Sequence, residues 1–486
     1  MSTRTCIILG AVALVAAGCQ PKAPGGSLVL TQTPVQAEPL QNTTLMDVRY
    51  PHGSRVLLLA PPFGRDSVLE LSRGLVAAGD PCVSWDGRWV YFAGKSSDEA
   101  IWQIYRVNSG GGLPELVTRM PGGAMGPAIA AHGQLVFSSP VPKAGHLSAA
   151  QEPAALYGQM PGHEPYRLTF GPDNAVDATV LRDGRILYVS ARARDNYRTP
   201  KSLGLFTINN DGTEVTAYAC QGDGADFVQR PRELDDGRIA FLTAHSGEGG
   251  SMAWAESVKS AAPFATRGSL FKFGVVGIRS VEPTAGGEVL ASAETRSGLG
   301  RSMTGNAKIF RVAAGDASLS TPLVDDPLWN SIEAMGVAER PEPSGHTTAI
   351  MPASHYGTVV CLNVNDSSEP AAEGNLAPAA ELRVFVPDGP GLARTLGTIP
   401  VDADGSVILR LPADVPLGLE TLDAQGHVLR HQPPSLWLRP GENRACIGCH
   451  EPRNHAPRNI RPLATMHGPA HLELTSQTSA AHAATP

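Results

Sequence analysis

One hairpin signal recurs along most of this chain at a nearly constant interval, and it restricts the fold more than any other feature. It ends at Gly87, Gly133, Gly184, Gly237 and Gly287, so neighbouring turns lie 46, 51, 53 and 50 residues apart. Each turn is followed by a β-rich run: Trp89-Val-Tyr-Phe92, Leu135-Val-Phe137, Ile186-Leu-Tyr-Val189, Ile239-Ala-Phe-Leu242 and Val289-Leu-Ala291. Asp-Gly between such runs predicts a hairpin, because a type I′ turn needs positive φ at both central positions. A unit of about fifty residues holding several strands is the signature of a β-propeller blade. Counting the strands ahead of Gly87 and the stretch from Ile332 to Leu362, an all-β propeller of six or seven blades is expected over residues 46–366. Asp86, Asp183 and Asp236 are read as turn formers.

Composition agrees. The 486 residues include 52 Gly and 41 Pro, only 17% are charged, and the net charge is −7. That balance suits a turn-rich β-protein and argues against nucleic-acid binding, which wants a basic patch.

The N-terminus carries an export signature. A short basic start with Arg4 precedes an apolar run from Ile7 to Ala17, too short to span a bilayer. The run ends Ala16-Ala17-Gly18-Cys19, which resembles a bacterial lipoprotein cleavage box with Ala16 in the usual leucine place. Residues 1–19 are therefore expected to be a lipoprotein signal, with Cys19 lipidated and the protein anchored to the cell envelope on its periplasmic or outer-membrane face. A secretory signal cut near Ala17, giving a soluble periplasmic protein, is the alternative. Residues 20–45, rich in Pro, Gly, Gln and Thr, read as a flexible tether.

Beyond the propeller, residues 367–380 read as a linker rich in Ser, Glu, Pro and Ala. Residues 381–440 show alternating runs with Asp404-Gly405 and Gln425-Gly426 turns, which predict a small sandwich of about four to six strands. The chain then reaches Cys446-Ile447-Gly448-Cys449-His450. C-x-x-C-H is the attachment pattern for haem c. Two thiols at this spacing can form thioethers to the two vinyl groups of one porphyrin, and the adjacent His450 is placed as the proximal iron ligand. One covalent haem c is expected in a segment spanning 441–471, and attachment of that kind requires the export the N-terminus announces. Three other readings stand beside it: a Cys446–Cys449 disulfide, a zinc site with His467 and His471, and chance. The gap of 17 residues between Cys449 and His467 is long for a zinc finger and contains Pro452, Pro457 and Pro462.

For the sixth iron position the candidates are His455, Met466, His467 and His471. Met would raise the potential and His lower it, both suiting electron transfer, whereas an empty position would admit a small molecule. Met466 and His467 have an easier reach than His455, and all four could equally be surface residues. Arg444 and Arg453 flank the motif as candidate partners for haem propionates. Cys82, Cys220 and Cys361 are read as buried small hydrophobes. The single histidines of the propeller, such as His132 and His346, are read as loop or core residues. Residues 472–486 are expected to be disordered.

Two resemblances add to these readings. The Asp-Pro-x-x-Ser-x-Asp-Gly pattern from Asp80 to Gly87 resembles the TolB-type, WD40-like propeller repeat, which implies a binding or assembly scaffold. The runs Gly357-Thr-Val-Val-Cys-Leu-Asn-Val364, Ile399-Pro-Val-Asp-Ala-Asp-Gly-Ser406 and Arg439-Pro-Gly-Glu-Asn-Arg-Ala-Cys-Ile-Gly-Cys-His450 resemble the hydrazine synthase alpha-subunit family. That resemblance, over about 330–460, implies a propeller ahead of a haem c domain, with Cys446 and Cys449 carrying the thioethers and His450 the proximal bond. The family's catalytic subunit has two haem motifs and a tyrosine ligand after one of them. This chain has one C-x-x-C-H and no Tyr after Tyr356.

The leading expectation is a lipid-anchored monohaem cytochrome c serving a redox partner protein or complex. A haem oxidoreductase acting on a small nitrogen or oxygen species is the second reading. The third is a TolB-like scaffold without a redox role.

Overall fold

A computed structural model describes residues 22–35, 49–64, 67–141, 153–192, 201–220, 227–244, 253–272, 277–284, 286–294, 306–313, 315–316, 319, 321–367, 377–388, 392–449, 456, 459–474 and 482–483. Six antiparallel sheets form the propeller, five with four strands and one with three among the described residues. Their inner strands are Trp329–Gly336, Ala77–Val83, Met125–Ile129, Asn174–Val180, Phe227–Glu233 and Gly277–Pro283, numbered here as blades one to six.

The first blade closes the ring. Its inner strand Trp329–Gly336 pairs antiparallel with Leu28–Pro34, which in turn pairs with Arg55–Leu59. The expected tether over 20–45 is thus corrected in part. Leu28, Val29 and Leu30 are buried, because this strand lies inside the closing blade, between Trp329–Gly336 and Arg55–Leu59. The far limit of 366 is also too late. Trp329–Gly336 completes the first, closing blade, and Tyr356–Cys361 belongs to the next domain. The remaining blade interfaces are filled by alternating apolar side chains, such as Phe92, Phe137, Tyr188 and Phe241.

The turns depart from the expected type in part. At Gly87, Gly184 and Gly237 only the glycine has positive φ (68°, 87° and 80°), and its N–H donates to the carbonyl three residues back. This is a type I turn followed by a glycine bulge, the common longer hairpin connection. The preceding Asp sets it: Asp86, Asp183 and Asp236 each accept the backbone N–H two residues on at 3.0 Å. Positive φ at both central residues occurs at His132-Gly133 and Gly286-Gly287.

After Gly336 the chain crosses the hairpin-turn face. Arg340 donates to Val83 O at 2.6 Å and stacks over Trp85, Glu342 accepts from His132 N, and Thr348 donates to Asp211 at 2.9 Å. The C-terminal domain that follows is a sandwich of two sheets. One is ordered Asn443–Cys446, Tyr356–Cys361, Val407–Pro412, Ala470–His471. The other is ordered Val428–Leu436, Leu417–Leu422, Glu381–Pro387, Leu392–Pro400, His482–Ala483. Val359, Val384, Leu409, Leu411 and Leu417 lie in the core between them.

Two further boundaries shift. The expected separate haem segment 441–471 supplies both edge strands of the first sheet, since an unpaired sheet edge accepts any strand with free backbone groups. The tail expected to be disordered is tied down at Leu472, whose N–H donates to Arg410 O at 3.0 Å, and at His482–Ala483 on the second sheet's edge. Among the described residues no helix is long and apolar enough to cross a membrane.

Candidate haem site

Backbone pairing positions the cysteines. Asn443–Cys446 runs parallel to Tyr356–Cys361, with Cys446 in register with Cys361. The pairing continues into the C-x-x-C turn: Leu362 N donates to Cys446 O at 2.9 Å, Asn363 N to Ile447 O at 3.1 Å, and Cys449 N to Asp366 O at 3.1 Å. Gly448 is required by space, because an added Cβ would collide with the Asp366 carbonyl oxygen. The turn is therefore clamped against residues 362–366 by three backbone hydrogen bonds.

Cys446 and Cys449 are both half-buried, and none of Cys82, Cys220, Cys361, Cys446 and Cys449 lies in a disulfide. Cys220 and Cys361 are buried as expected, and Cys82 is half-buried, with burial pushing its thiol pKa up. Arg444 is two residues before Cys446 on the same edge strand. Its Nη1 is buried without a hydrogen-bond partner. A half-buried guanidinium with one unmet, buried donor fits a carboxylate ligand such as a haem propionate. Thiols on a fixed turn and this orphaned donor together fit the expected haem c. The calls on Cys19, His450, Arg453 and His455 lie outside the described residues.

The sixth-position candidates separate. The short 3₁₀ turn Leu463–Met466 sits against the Asp402–Ser406 hairpin turn, with Leu463 N donating to Asp404 at 2.8 Å and Ala464 N to Ser406 Oγ at 2.9 Å. Val364 N donates to Gly405 O at 2.9 Å, so this turn and the C-x-x-C turn share one end of the sheet. Met466 is 64% exposed there. His467 beside it is engaged through both ring nitrogens, Nε2 with Asp402 at 2.8 Å and Nδ1 with Gly468 O at 3.1 Å. The Asp402 hydrogen bond raises its pKa and favours the imidazolium, which cannot ligate iron.

His471 is held elsewhere. It pairs in register with Arg410 and packs edge-on against Tyr356 with ring centroids 4.4 Å apart. Its strand forms the opposite edge of the sheet from Cys446, three strand spacings of about 4.8 Å away. Among the described residues no cluster of three or more His, Cys, Asp or Glu could hold a metal ion.

Sequence reading missed how the site is docked. Trp437-Leu-Arg-Pro-Gly-Glu442, just ahead of the haem motif, clasps blades three and four. Trp437 is buried and its Nε1 donates to Gly212 O at 3.3 Å. Arg439 Nη1 donates to Arg167 O at 2.7 Å, and Glu442 accepts from Glu214 N at 3.0 Å and Arg439 N at 2.7 Å. Burial raises the Glu442 pKa although both N–H groups oppose that. The available signal was an Arg-Pro-Gly-Glu run in a stretch otherwise poor in charge.

Residues 377–451 match the family model for the hydrazine synthase alpha subunit middle domain. Hydrazine synthase from Kuenenia stuttgartiensis superposes with a TM-score of 0.74 over 92% of this chain and 72% of that one, at 19% identity. The fold is that of hydrazine synthase. TolB from Acinetobacter baumannii covers 63% of this chain and 66% of its own, with a TM-score of 0.41 and 13% identity. No curated protein matches the chain. The hydrazine synthase likeness spans propeller and C-terminal sandwich together, while the family match falls on the sandwich and the haem motif.

Proposed function

We propose that the chain is an exported, lipid-anchored, monohaem c-type cytochrome, working in electron transfer or as the haem-bearing subunit of a periplasmic redox complex. The observation that carries this reading is the clamped C-x-x-C turn, with Gly448 set against Asp366 and the buried Arg444 donor unmet nearby. Cys446 and Cys449 would hold the porphyrin, His450 the iron and Arg444 a propionate. Haem c supplies one-electron transfer when bound. The protein's part is a rigid edge strand, which holds the attachment turn in one geometry, and the Trp437–Glu442 clasp, which fixes that strand to the propeller.

With His467 engaged by Asp402 and His471 on the far sheet edge, Met466 is the proposed sixth ligand. The propeller would dock the redox partner, in keeping with the hydrazine synthase fold around a haem motif. Export and lipidation at Cys19 belong to the same proposal, because thioether formation to haem takes place outside the cytoplasm.

The test is the absorption spectrum of the full chain expressed with the c-type maturation machinery, oxidised and reduced, with and without carbon monoxide. A low-spin spectrum indifferent to carbon monoxide is expected. A high-spin spectrum that shifts with the ligand would replace electron transfer by an oxidoreductase acting on a small nitrogen or oxygen species. A colourless protein would leave only the scaffold.

A further inference from the structure

The inner strands of the propeller carry bulges at matching positions, and these build a second polar site on the channel axis. The register shifts fall at Gly79/Cys82, Met125/Ala128, Val176/Thr179, Gln229/Arg232 and Ile278/Ser280, and in the closing blade at Val29/Thr31, opposite Glu333. Five of the six bulges place a residue in the left-handed region: Asp80 at 61°, Gly126 at 64°, Asp177 at 51°, Arg230 at 50° and Glu333 at 60°. For a non-glycine residue that conformation is strained and persists only where the surroundings over-determine it.

Into this ring the segment before strand Arg55–Leu59 inserts Arg49 and Tyr50, from the face opposite the C-terminal domain. Arg49 pairs with Asp177 at 2.9 Å, and Arg230 pairs with Glu333 and donates to Tyr50 Oη at 3.3 Å. Glu333 is saturated, accepting also from Tyr50 Oη, from Thr31 Oγ1 at 2.6 Å and from Asp80 N at 2.9 Å. Asp177 accepts Arg230 N at 3.1 Å.

Three groups are left over. Arg49 Nη2 and Arg230 Nη1 are buried donors without a partner, on side chains only 10% and 6% exposed. The Asp80 carboxylate accepts no hydrogen bond among the described residues and keeps some exposure to the lumen. The neighbouring ring position is Gly126, which leaves open the space beside Asp80 that a side chain would fill, with the Asp80 Oδ2 3.7 Å from where its Cβ would stand. A buried, charged guanidinium N–H left without an acceptor is costly, so such an arrangement implies one.

We propose that this channel site binds a small planar oxyanion of formate or nitrate size, together with one proton taken up by Asp80. Charge decides the second half. Arg49 and Arg230 face three carboxylates, Asp80, Asp177 and Glu333, while Arg232 is neutralised by Glu282 at 2.7 Å. An incoming anion meets a net negative cluster unless one carboxylate is protonated, and of the three only Asp80 makes no direct ion pair with an arginine. Protonated, it becomes a third donor in the same cluster. Burial first, and then the Glu333 charge, lift its pKa to about 6, against the opposing pull of Arg49 and Arg230. The thiol of Cys82, also near it, stays neutral because burial raises its pKa.

Calorimetric titration of the full chain with sodium formate and with sodium nitrate, at about pH 5.5 and about pH 7.5, tests this. Saturable binding at least about tenfold tighter at the lower pH is expected, since the protonated fraction of Asp80 falls by more than that over the interval. Asp80→Asn should bind with equal affinity at both pH values. Arg49→Lys keeps the ion pair with Asp177 but removes Nη2, and should weaken binding about tenfold at the lower pH. No saturable binding of either anion at the lower pH would mean that water alone meets the two donors. Binding whose full pH dependence survives in Asp80→Asn would equally overturn the proposal.

Discussion

The channel axis of the propeller and the edge of the C-terminal sandwich solve opposite problems with the same secondary structure. On the axis, strands bulge so that Asp177, Arg230 and Glu333 are buried against one another, and the order comes from charge pairing. At the sandwich edge the strand Asn443–Cys446 pairs without a register shift, its core is apolar, and the order comes from backbone pairing that leaves two thiols half-buried. The first arrangement tolerates almost no loss of a partner. The second tolerates side-chain change but not a shift of backbone. A buried ion pair fails through desolvation of the charge left behind, whereas a docked turn fails through steric collision.

The sharpest break should come at the edge. Cys449→Ala would remove one of the two proposed thioethers, and haem staining of the denatured chain should drop several-fold, with Cys446→Ala,Cys449→Ala abolishing it. Retained covalent haem in the double variant would end the cytochrome reading. On the axis, Glu333→Gln strips Arg230 of its counter-charge and should cost about 3–5 kcal/mol in denaturant unfolding of the apo chain. A cost under about 1 kcal/mol would show that the axis is solvated rather than dry.

Next in size is Gly448→Ala, which sets a methyl group against the Asp366 carbonyl. It should cost about 1–3 kcal/mol and lower haem loading, with the propeller's own transition unmoved. Acidity then separates the regions. Asp80, with its folded pKa raised to about 6, favours folding fully below the usual carboxylate range, and that contribution is lost as pH rises toward 6. Asp177 and Glu333 are held below their usual values by Arg49 and Arg230, against the opposing effect of burial, so their contribution is lost as pH falls. Asp80→Asn should therefore stabilise the chain above pH ~6 and change little below pH ~4, by urea titration at each pH. The smallest effect is expected from His467→Ala. Its imidazole is exposed on the surface, so stability should not change measurably and the haem spectrum should stay as it was. A change of spin state would make His467, not Met466, the sixth ligand.

Much of this was legible in the chain itself. The spacing of Gly87, Gly133, Gly184, Gly237 and Gly287 announced the blades, because a tight hairpin is a local event requiring particular residue types. The alternating runs after Glu381 announced the sandwich for the same reason. The sequence could not show that Leu28–Pro34 closes the ring, since pairing with Trp329–Gly336 depends on partners some 300 residues away that carry no mark of it. It could not separate Met466 from His471, which lie five residues apart in the chain yet on a turn at one end of the sheet and on its edge strand. Nor did it hint at the axis, where Arg49, Asp80, Asp177, Arg230 and Glu333 look like scattered surface charges. Local chemistry determined the turns and the motif. Only closure of the ring decided which charges would be buried together, because burial is a property of the whole fold and not of any segment.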